Sequence, residues 1–245
     1  MQTIGILGGM SWHSTIEYYR AINERVAAER GGHASARILL SSLDFAEVRA
    51  CQLREDWLAA GELLASEAAA LERAGASSIA IATNLMHKVA PAVESRVRVP
   101  LVHIGDAVAA AAGRVGARTL GIVGTQWVMS EAFYAERLQA HGIAAVVPPA
   151  AAQTELDRII FDELTQGVVS EAARAVYRQA FAALVAEGAE AIVLACTEIM
   201  LLVDASDAEV PLLDSCQAHA DALSRIALGD LAADALAPPP LAANR

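Results

Sequence analysis

The sequence predicts an α/β fold built from two similar halves, each organised on a parallel sheet. Short apolar runs of strand-forming residues alternate with longer segments of helical periodicity along the whole chain, the pattern of parallel strands joined by right-handed crossovers. Blocks recur in one order: Thr3-Ile4-Gly5-Ile6-Leu7-Gly8 returns as Thr119-Leu120-Gly121-Ile122-Val123-Gly124, and Val99-Pro100-Leu101-Val102 returns as Val210-Pro211-Leu212-Leu213. Between them, Ser78-Ile79-Ala80-Ile81-Ala82-Thr83-Asn84 is echoed by Ala191-Ile192-Val193-Leu194-Ala195-Cys196-Thr197, each run preceded by a helix-ending Gly-Ala step. The shifts of 116, 113 and 111 residues describe a duplicated half of about 110 residues, far above the period of solenoid repeats.

Taken in order, Thr3 to Leu7 reads as a buried strand, and Gly8-Gly9-Met10-Ser11-Trp12 as the loop feeding a helix from about Ser14 to Arg30. The Gly-rich turn offers backbone N–H groups to an anion. A dinucleotide fingerprint is absent, and bulky Met10 and Trp12 follow the glycines. Arg37 to Ser42 is a second strand, Asp44 to Gln52 a loop or short helix, and Trp57 to Ala74 an amphipathic helix whose Glu62, Glu67 and Glu72 mark its solvated side. Arg49, Gln52 and Arg54 follow the second strand, where a ligand could be met, although an arginine on such a loop is usually solvated. Ile79 to Ala82 is the third strand and Val99 to His103 the fourth. His87 opens the intervening helix, as a capping, packing or catalytic group. The second half repeats the rhythm: strand 119–123, helix 130–141, strand 143–147, helices near 155–165 and 170–187, strand 191–195, strand 211–214 and a last helix near 217–228. The proline-rich tail from 229 to 245 lacks a core-forming pattern and is expected to fray.

Composition excludes several classes. At 245 residues with 55% hydrophobic and 19% charged residues, the chain is long enough for two domains with their own cores and is not disordered. A net charge of −11, with Lys88 as the only lysine, opposes phosphate neutralisation and hence nucleic-acid binding. No apolar run is long enough for a membrane span and no basic leader precedes the first strand, so no membrane contact and a cytoplasmic location are expected. Cys51, Cys196 and Cys216 are too scattered for a disulfide framework, and no spacing suggests a metal site.

The chemistry is expected at the strand ends. Cys51 and Cys216 read as packing residues. Cys196 is followed directly by Thr197 and Glu198. N–H groups of the turn beginning there should lower its pKa toward neutrality, while an ionised Glu198 would act the other way and favour a protonated thiol. Ligands on parallel sheets gather outside the carboxyl ends of the strands, so the two halves are expected to share one cleft with Thr83 and Cys196 at equivalent places. Two opposed proton carriers suit inversion at carbon, one removing the α-proton while the other donates from the opposite face, with loop N–H groups holding the carbanion charge.

Gly8-Gly9-Met10-Ser11-Trp12-x-Ser14, Thr83-Asn84-x-Met86-His87 and Cys196-Thr197-Glu198 together resemble the aspartate/glutamate racemase family. The resemblance spans roughly residues 2 to 228. It implies two pseudo-symmetric Rossmann-like domains with four-stranded parallel sheets, residues 1–100 plus 211–228 and residues 101–210. It also implies an interdomain active site, a homodimer, and amino-acid racemisation without PLP or any other cofactor. Thr83 and Cys196 are then the catalytic pair, Met10, Ser11, Gln52, Asn84, Leu85, Thr125, Thr165 and Thr197 the substrate contacts, and Glu198 the group behind Cys196.

Many relatives carry cysteine where this chain has Thr83, and the sequence is similar to the subgroup with threonine there, which includes L-aspartate/glutamate-specific racemases. A hydroxyl is a far weaker acid than a thiol, so catalysis is expected to be asymmetric, with Cys196 removing the α-proton of the L-substrate. Gln52 and Thr165 stand where aspartate-specific relatives often hold the distal carboxylate with arginine and lysine, and Leu85 where threonine is common. Each missing charge-assisted bond is worth on the order of 1.5–3 kcal/mol, which brings neutral polar amino acids into consideration beside L-aspartate and L-glutamate. Two other readings remain: a single-cysteine isomerase or decarboxylase of the same superfamily, and a non-catalytic small-molecule binding protein.

Overall fold

The structure is a computed structural model that describes residues 1–239. Its elements run β1 (Thr3–Gly8), α1 (Trp12–Arg30), β2 (Arg37–Ser42), α2 (Phe45–Leu53), α3 (Trp57–Arg73), β3 (Ser78–Ile81), α4 (Ala90–Arg96), β4 (Leu101–Val102) and α5 (Ile104–Val115). There follow β5 (Thr119–Gly124), α6 (Gln126–Ser130), α7 (Ala132–Gln139), β6 (Ala144–Val146), α8 (Ala150–Asp162), α9 (Glu171–Ala186), β7 (Ala191–Ala195), β8 (Leu212–Asp214) and α10 (Ser215–Leu228). The strands form two four-stranded parallel sheets of the same order, β2-β1-β3-β4 and β6-β5-β7-β8, so the repeat read from sequence is a repeat of topology.

The chain divides into two compact units, one of Met1–Ala107 with Cys216–Ala237 and one centred on Val108–Ser215. This differs from the expected boundaries on both sides. Strand β4 pairs with β3, so residues just past 100 stay in the first sheet, and β8 pairs with β7, so 212–214 belong to the second. The chain returns to the first unit with helix α10, because its apolar face, with Ala220, Leu223, Ile226 and Ala227, is covered by Ile4, Ile6, Tyr18 and Ile22. The expected fraying tail is also corrected: Leu231, Ala233 and Leu236 pack on this same core, while residues 240–245 lie outside the described residues. The helix expected over 130–141 is α7, and a further short helix, α6, precedes it, separated from it by extended backbone at Glu131.

Strand alternation distributes the first core between two layers. Ala80 and Ala82 face the layer of α1 and α10, whereas Ile79 and Ile81 join Leu64, Ala68, Met86 and Val93 on the other face. The second unit buries Leu156, Ile160, Tyr177, Phe181, Leu184, Ile192 and Leu194 in one cluster. Each such Leu, Ile or Phe contributes about 1.5–3 kcal/mol relative to exposure. At the end of β1, Gly8 leaves room for Thr15: a Cβ there would come within 2.7 Å of the Thr15 methyl. The Thr15 hydroxyl instead accepts from Gly9 N at 2.8 Å and donates to Ser11 O at 3.0 Å, which ties the Gly-rich loop to the start of α1.

Below the third and fourth strands lies a buried imidazole group. His219 Nε2 donates to Val102 O at 2.9 Å, and Nδ1 accepts from the Tyr18 hydroxyl at 2.9 Å. Burial, the dominant effect, pushes its pKa from 6.5 down to about 4, against the opposing pull of the Val102 carbonyl and Asp106. The unfolded chain therefore binds a proton that the folded chain refuses between about pH 6.5 and 4, so stability falls as pH drops through that window and levels off below it. The loss amounts to about 3 kcal/mol. Urea unfolding of the wild type at pH 7 and pH 4.5 is expected to differ by most of this amount more than unfolding of His219→Gln, and parallel pH dependences would refute it.

Candidate active site

The first polar cluster follows β3. Thr83 is half-buried and Asn84 and Leu85 are buried, at the start of a 3-10 turn over Leu85–Val89. His87, 2% exposed, anchors this turn. Its Nε2 accepts from Ile104 N at 3.1 Å, so the proton sits on Nδ1, which donates to the Thr83 carbonyl at 2.8 Å. Of the roles open to His87 in the sequence, the geometry selects the structural one: both nitrogens bond to backbone, and the bond to Thr83 sets the loop that presents the hydroxyl. The His103 ring lies 4.3 Å from that of His87, and its Nδ1 accepts from Gly105 N at 3.0 Å.

Register brings the Gly-rich loop alongside. Leu7 pairs with Ile81, so the residues after β1 run beside Thr83. Met10 is buried in the cluster that holds Met86 and Cys51, and Ser11 caps α1 by accepting from Ser14 N. Gln52, 3% exposed, joins the same place by donating from Nε2 to Met86 Sδ at 3.3 Å. Its Oε1 accepts from Arg49 Nη1 at 3.2 Å, and Arg49 is half-buried rather than solvated. A cation thus stands beside the position where the resemblance implied that one had been lost.

The second cluster follows β7. Cys196 is half-buried at the strand end, opening a 3-10 turn over Thr197–Leu201. The Cys196 thiol donates to Glu198 Oε2 at 3.1 Å, and the Thr197 hydroxyl donates to the same oxygen at 2.8 Å. Burial above all, then the Glu198 charge and its hydrogen bond and more weakly Asp157, push the Cys196 pKa well above that of a free thiol, outweighing the Glu198 backbone N–H that favours thiolate. The expected lowering toward neutrality is therefore reversed: one N–H donor does not offset desolvation together with two carboxylates.

Thr125 follows β5, whose Gly124 pairs with Ala195, so Thr125 continues alongside Cys196. Its hydroxyl is buried and lacks a hydrogen-bond partner within the protein, an acceptor or donor available to a ligand. Thr165 is exposed, in the turn 164–166 that packs against 197–201, and its hydroxyl donates to Phe161 O at 2.7 Å. Asp157 and Tyr177 had no sequence signal. Asp157 Oδ1 accepts from Gln126 N at 2.7 Å, and buried Tyr177 donates to Leu156 O at 3.3 Å with its phenol pKa pushed well up by burial and by Cys196 and Asp157. Among the described residues no cluster of three or more His, Cys, Asp or Glu is arranged to hold a metal ion, and no helix is long and apolar enough to cross a membrane.

Comparison with known proteins agrees with the fold. The family model for Asp/Glu/Hydantoin racemase matches residues 7–223. A Yersinia pestis protein described provisionally as an Asp/Glu racemase is 44% identical, with 93% of this chain and 100% of that chain covered and a TM-score of 0.89. An aspartate racemase homologue from Pyrococcus horikoshii OT3 is 34% identical over 93% of this chain and 100% of that one, with a TM-score of 0.80. The Picrophilus torridus aspartate racemase, at 20% identity and TM-score 0.71 over 93% and 94% of the two chains, shares the fold.

Proposed function

The chain belongs to the Asp/Glu/Hydantoin racemase family, and on that premise we propose that it racemises an acidic amino acid without PLP, Cys196 and Thr83 exchanging protons with opposite faces of one α-carbon. The observation that carries this reading is positional equivalence: Thr83 follows β3 and Cys196 follows β7, the same strand in two sheets of identical order. Repeated strand ends that carry a hydroxyl in one copy and a thiol in the other suit a reaction whose two half-steps are mirror images.

Cys196 enters the reaction as the stronger acid, and so as the one of the two groups that ionises readily enough to act as the base. Thr83, held through its carbonyl by His87, donates from the other side with water as proton source. The Thr125 hydroxyl and the N–H groups of the loops after β1 and β5 hold the α-carboxylate as it takes up carbanion charge. Arg49, paired to Gln52, meets the distal carboxylate and favours aspartate or glutamate over neutral analogues. The only lysine, Lys88, places its ammonium 3.8 Å over the Trp57 ring, which fits a cation–π role better than a Schiff base. The protein acts as a homodimer in this reading.

A panel of L-amino acids incubated in D₂O, scored for α-deuterium and for optical inversion, tests the proposal. Both signals are expected with aspartate or glutamate, at rates at least about tenfold above those with asparagine and glutamine, for one charge-assisted bond of 1.4 kcal/mol or more. Deuterium without inversion, or neither signal with any amino acid, would overturn it.

A further inference from the structure

A carboxylate fixed against a thiol suits proton storage better than proton removal, because it opposes the negative charge that a base must acquire. Two donors, the Cys196 thiol at 3.1 Å and the Thr197 hydroxyl at 2.8 Å, converge on Glu198 Oε2 and hold the carboxylate to the sulfur side. Asp157 adds a second negative charge, and the neighbouring Tyr177 phenol responds to the same acidic field. In the absence of ligand this cluster keeps Cys196 protonated. Removal of an α-proton by Cys196 therefore requires a positive charge that the cluster itself does not bring.

We propose that Glu198 is the seat of the substrate's α-ammonium group, and that arrival of this cation converts Cys196 from thiol to thiolate. The inference rests on the racemase reading above and deepens it. In an α-amino acid the nitrogen is bonded to the very carbon whose proton is transferred. Reacting atoms approach to about 3–3.5 Å, so any productive pose brings the ammonium within about 5 Å of Cys196 Sγ. A carboxylate already 3.1 Å from that sulfur is then in reach of the ammonium. An opposite charge at such a distance favours the ionised thiol by about 10- to 1000-fold.

The protons balance. On binding, the thiol proton leaves to solvent and the ammonium keeps all of its own. The thiolate then takes the α-proton, the C–H electron pair stays on carbon, and a proton from the Thr83 side restores four bonds at that carbon. Ionisation is thereby confined to complexes that carry an amine, so a 2-hydroxy acid with the same skeleton occupies the site without triggering it.

The test follows proton release with an indicator dye in weakly buffered solution near pH 8, together with thiolate absorbance in the near ultraviolet. L-Aspartate is expected to release about one proton per site and raise the absorbance, L-malate to do neither, and Cys196→Ala to abolish both. In ligand-free protein, Glu198→Gln is expected to speed iodoacetamide alkylation of Cys196 at pH 7.5 by about tenfold or more and to move its pH midpoint down, since the amide keeps the hydrogen bonds but not the charge. Equal proton release with malate, or an unmoved alkylation midpoint in a folded Glu198→Gln, overturns the proposal. The two readings fail separately. Proton release by aspartate without α-proton exchange by any amino acid removes the racemase reading and leaves the ammonium seat, whereas exchange without release does the reverse.

Discussion

Cys196→Ala is expected to lower α-deuterium incorporation from D₂O by about 10²–10⁴-fold with every substrate, the range that a positioned acid–base group contributes. Cys196 sits at the end of a fully buried strand, and its side chain is half-buried, so the alanine variant loses one sulfur without exposing a core. Binding should persist, because the groups assigned to the carboxylates, Thr125 and Arg49, are untouched. Isothermal calorimetry alongside NMR detection of α-deuterium separates the two effects: a dissociation constant within about threefold of wild type with exchange lost is the expected pair. Cys196→Ser should restore little, since a hydroxyl in the same acidic surroundings is a much weaker acid than the thiol it replaces. Retention of most of the exchange activity in the alanine variant would remove Cys196 from the mechanism and with it the proposed proton pathway.

The largest expected effect on stability belongs to Gly9→Ala. Gly9 has φ +84°, and a Cβ at this position would lie 2.2 Å from the Leu43 carbonyl oxygen and 2.6 Å from the Leu43 nitrogen, both backbone atoms. Leu43 cannot retreat freely, because its N–H donates to Gly8 O at 3.0 Å, and Gly9 is itself held by its bond to Thr15. Left-handed strain and steric overlap therefore add, and a loss of about 4 kcal/mol or more is expected in urea unfolding. Gly32→Ala is the control: φ is also positive, at +60°, but nothing lies within 4 Å of its Cβ, so about 1 kcal/mol is expected from backbone conformation alone. Similar losses in the two variants would mean that the close approach of Gly9 to Leu43 is not rigid. The same crowding ties the loop carrying Met10 and Ser11 to the residue that follows the second strand.

Much of this protein is legible in the chain itself. Short apolar runs, glycine stops and recurring blocks are local signals, and they located the eight strands among the described residues and the topological repeat to within a few residues. The Cys196-Thr197-Glu198 and Thr83-Asn84 steps are equally local, because a buried strand that ends in polar residues marks a candidate ligand-facing edge. The helix near 130–141 was legible as α7, whereas the short helix α6 before it was not, since five residues are too few to show a side-chain period.

Tertiary structure decided what depends on distance through space. The direction of the Cys196 pKa comes above all from desolvation, which neighbours in sequence do not reveal, then from Glu198, which they do, with a weaker push from Asp157 on α8. Arg49 became relevant only when Gln52 linked it to Met86, and the role of His87 only when Ile104 N took one of its nitrogens. The return of α10 to the first unit was expected from the resemblance, whereas the packing of Leu231, Ala233 and Leu236 on the same core and the pairing of β8 in the second sheet were decided by the folded structure. Periodicity writes itself along the chain because each residue's neighbours set it; electrostatic fields and packing partners are sums over the folded volume, so they exist only once the chain has folded.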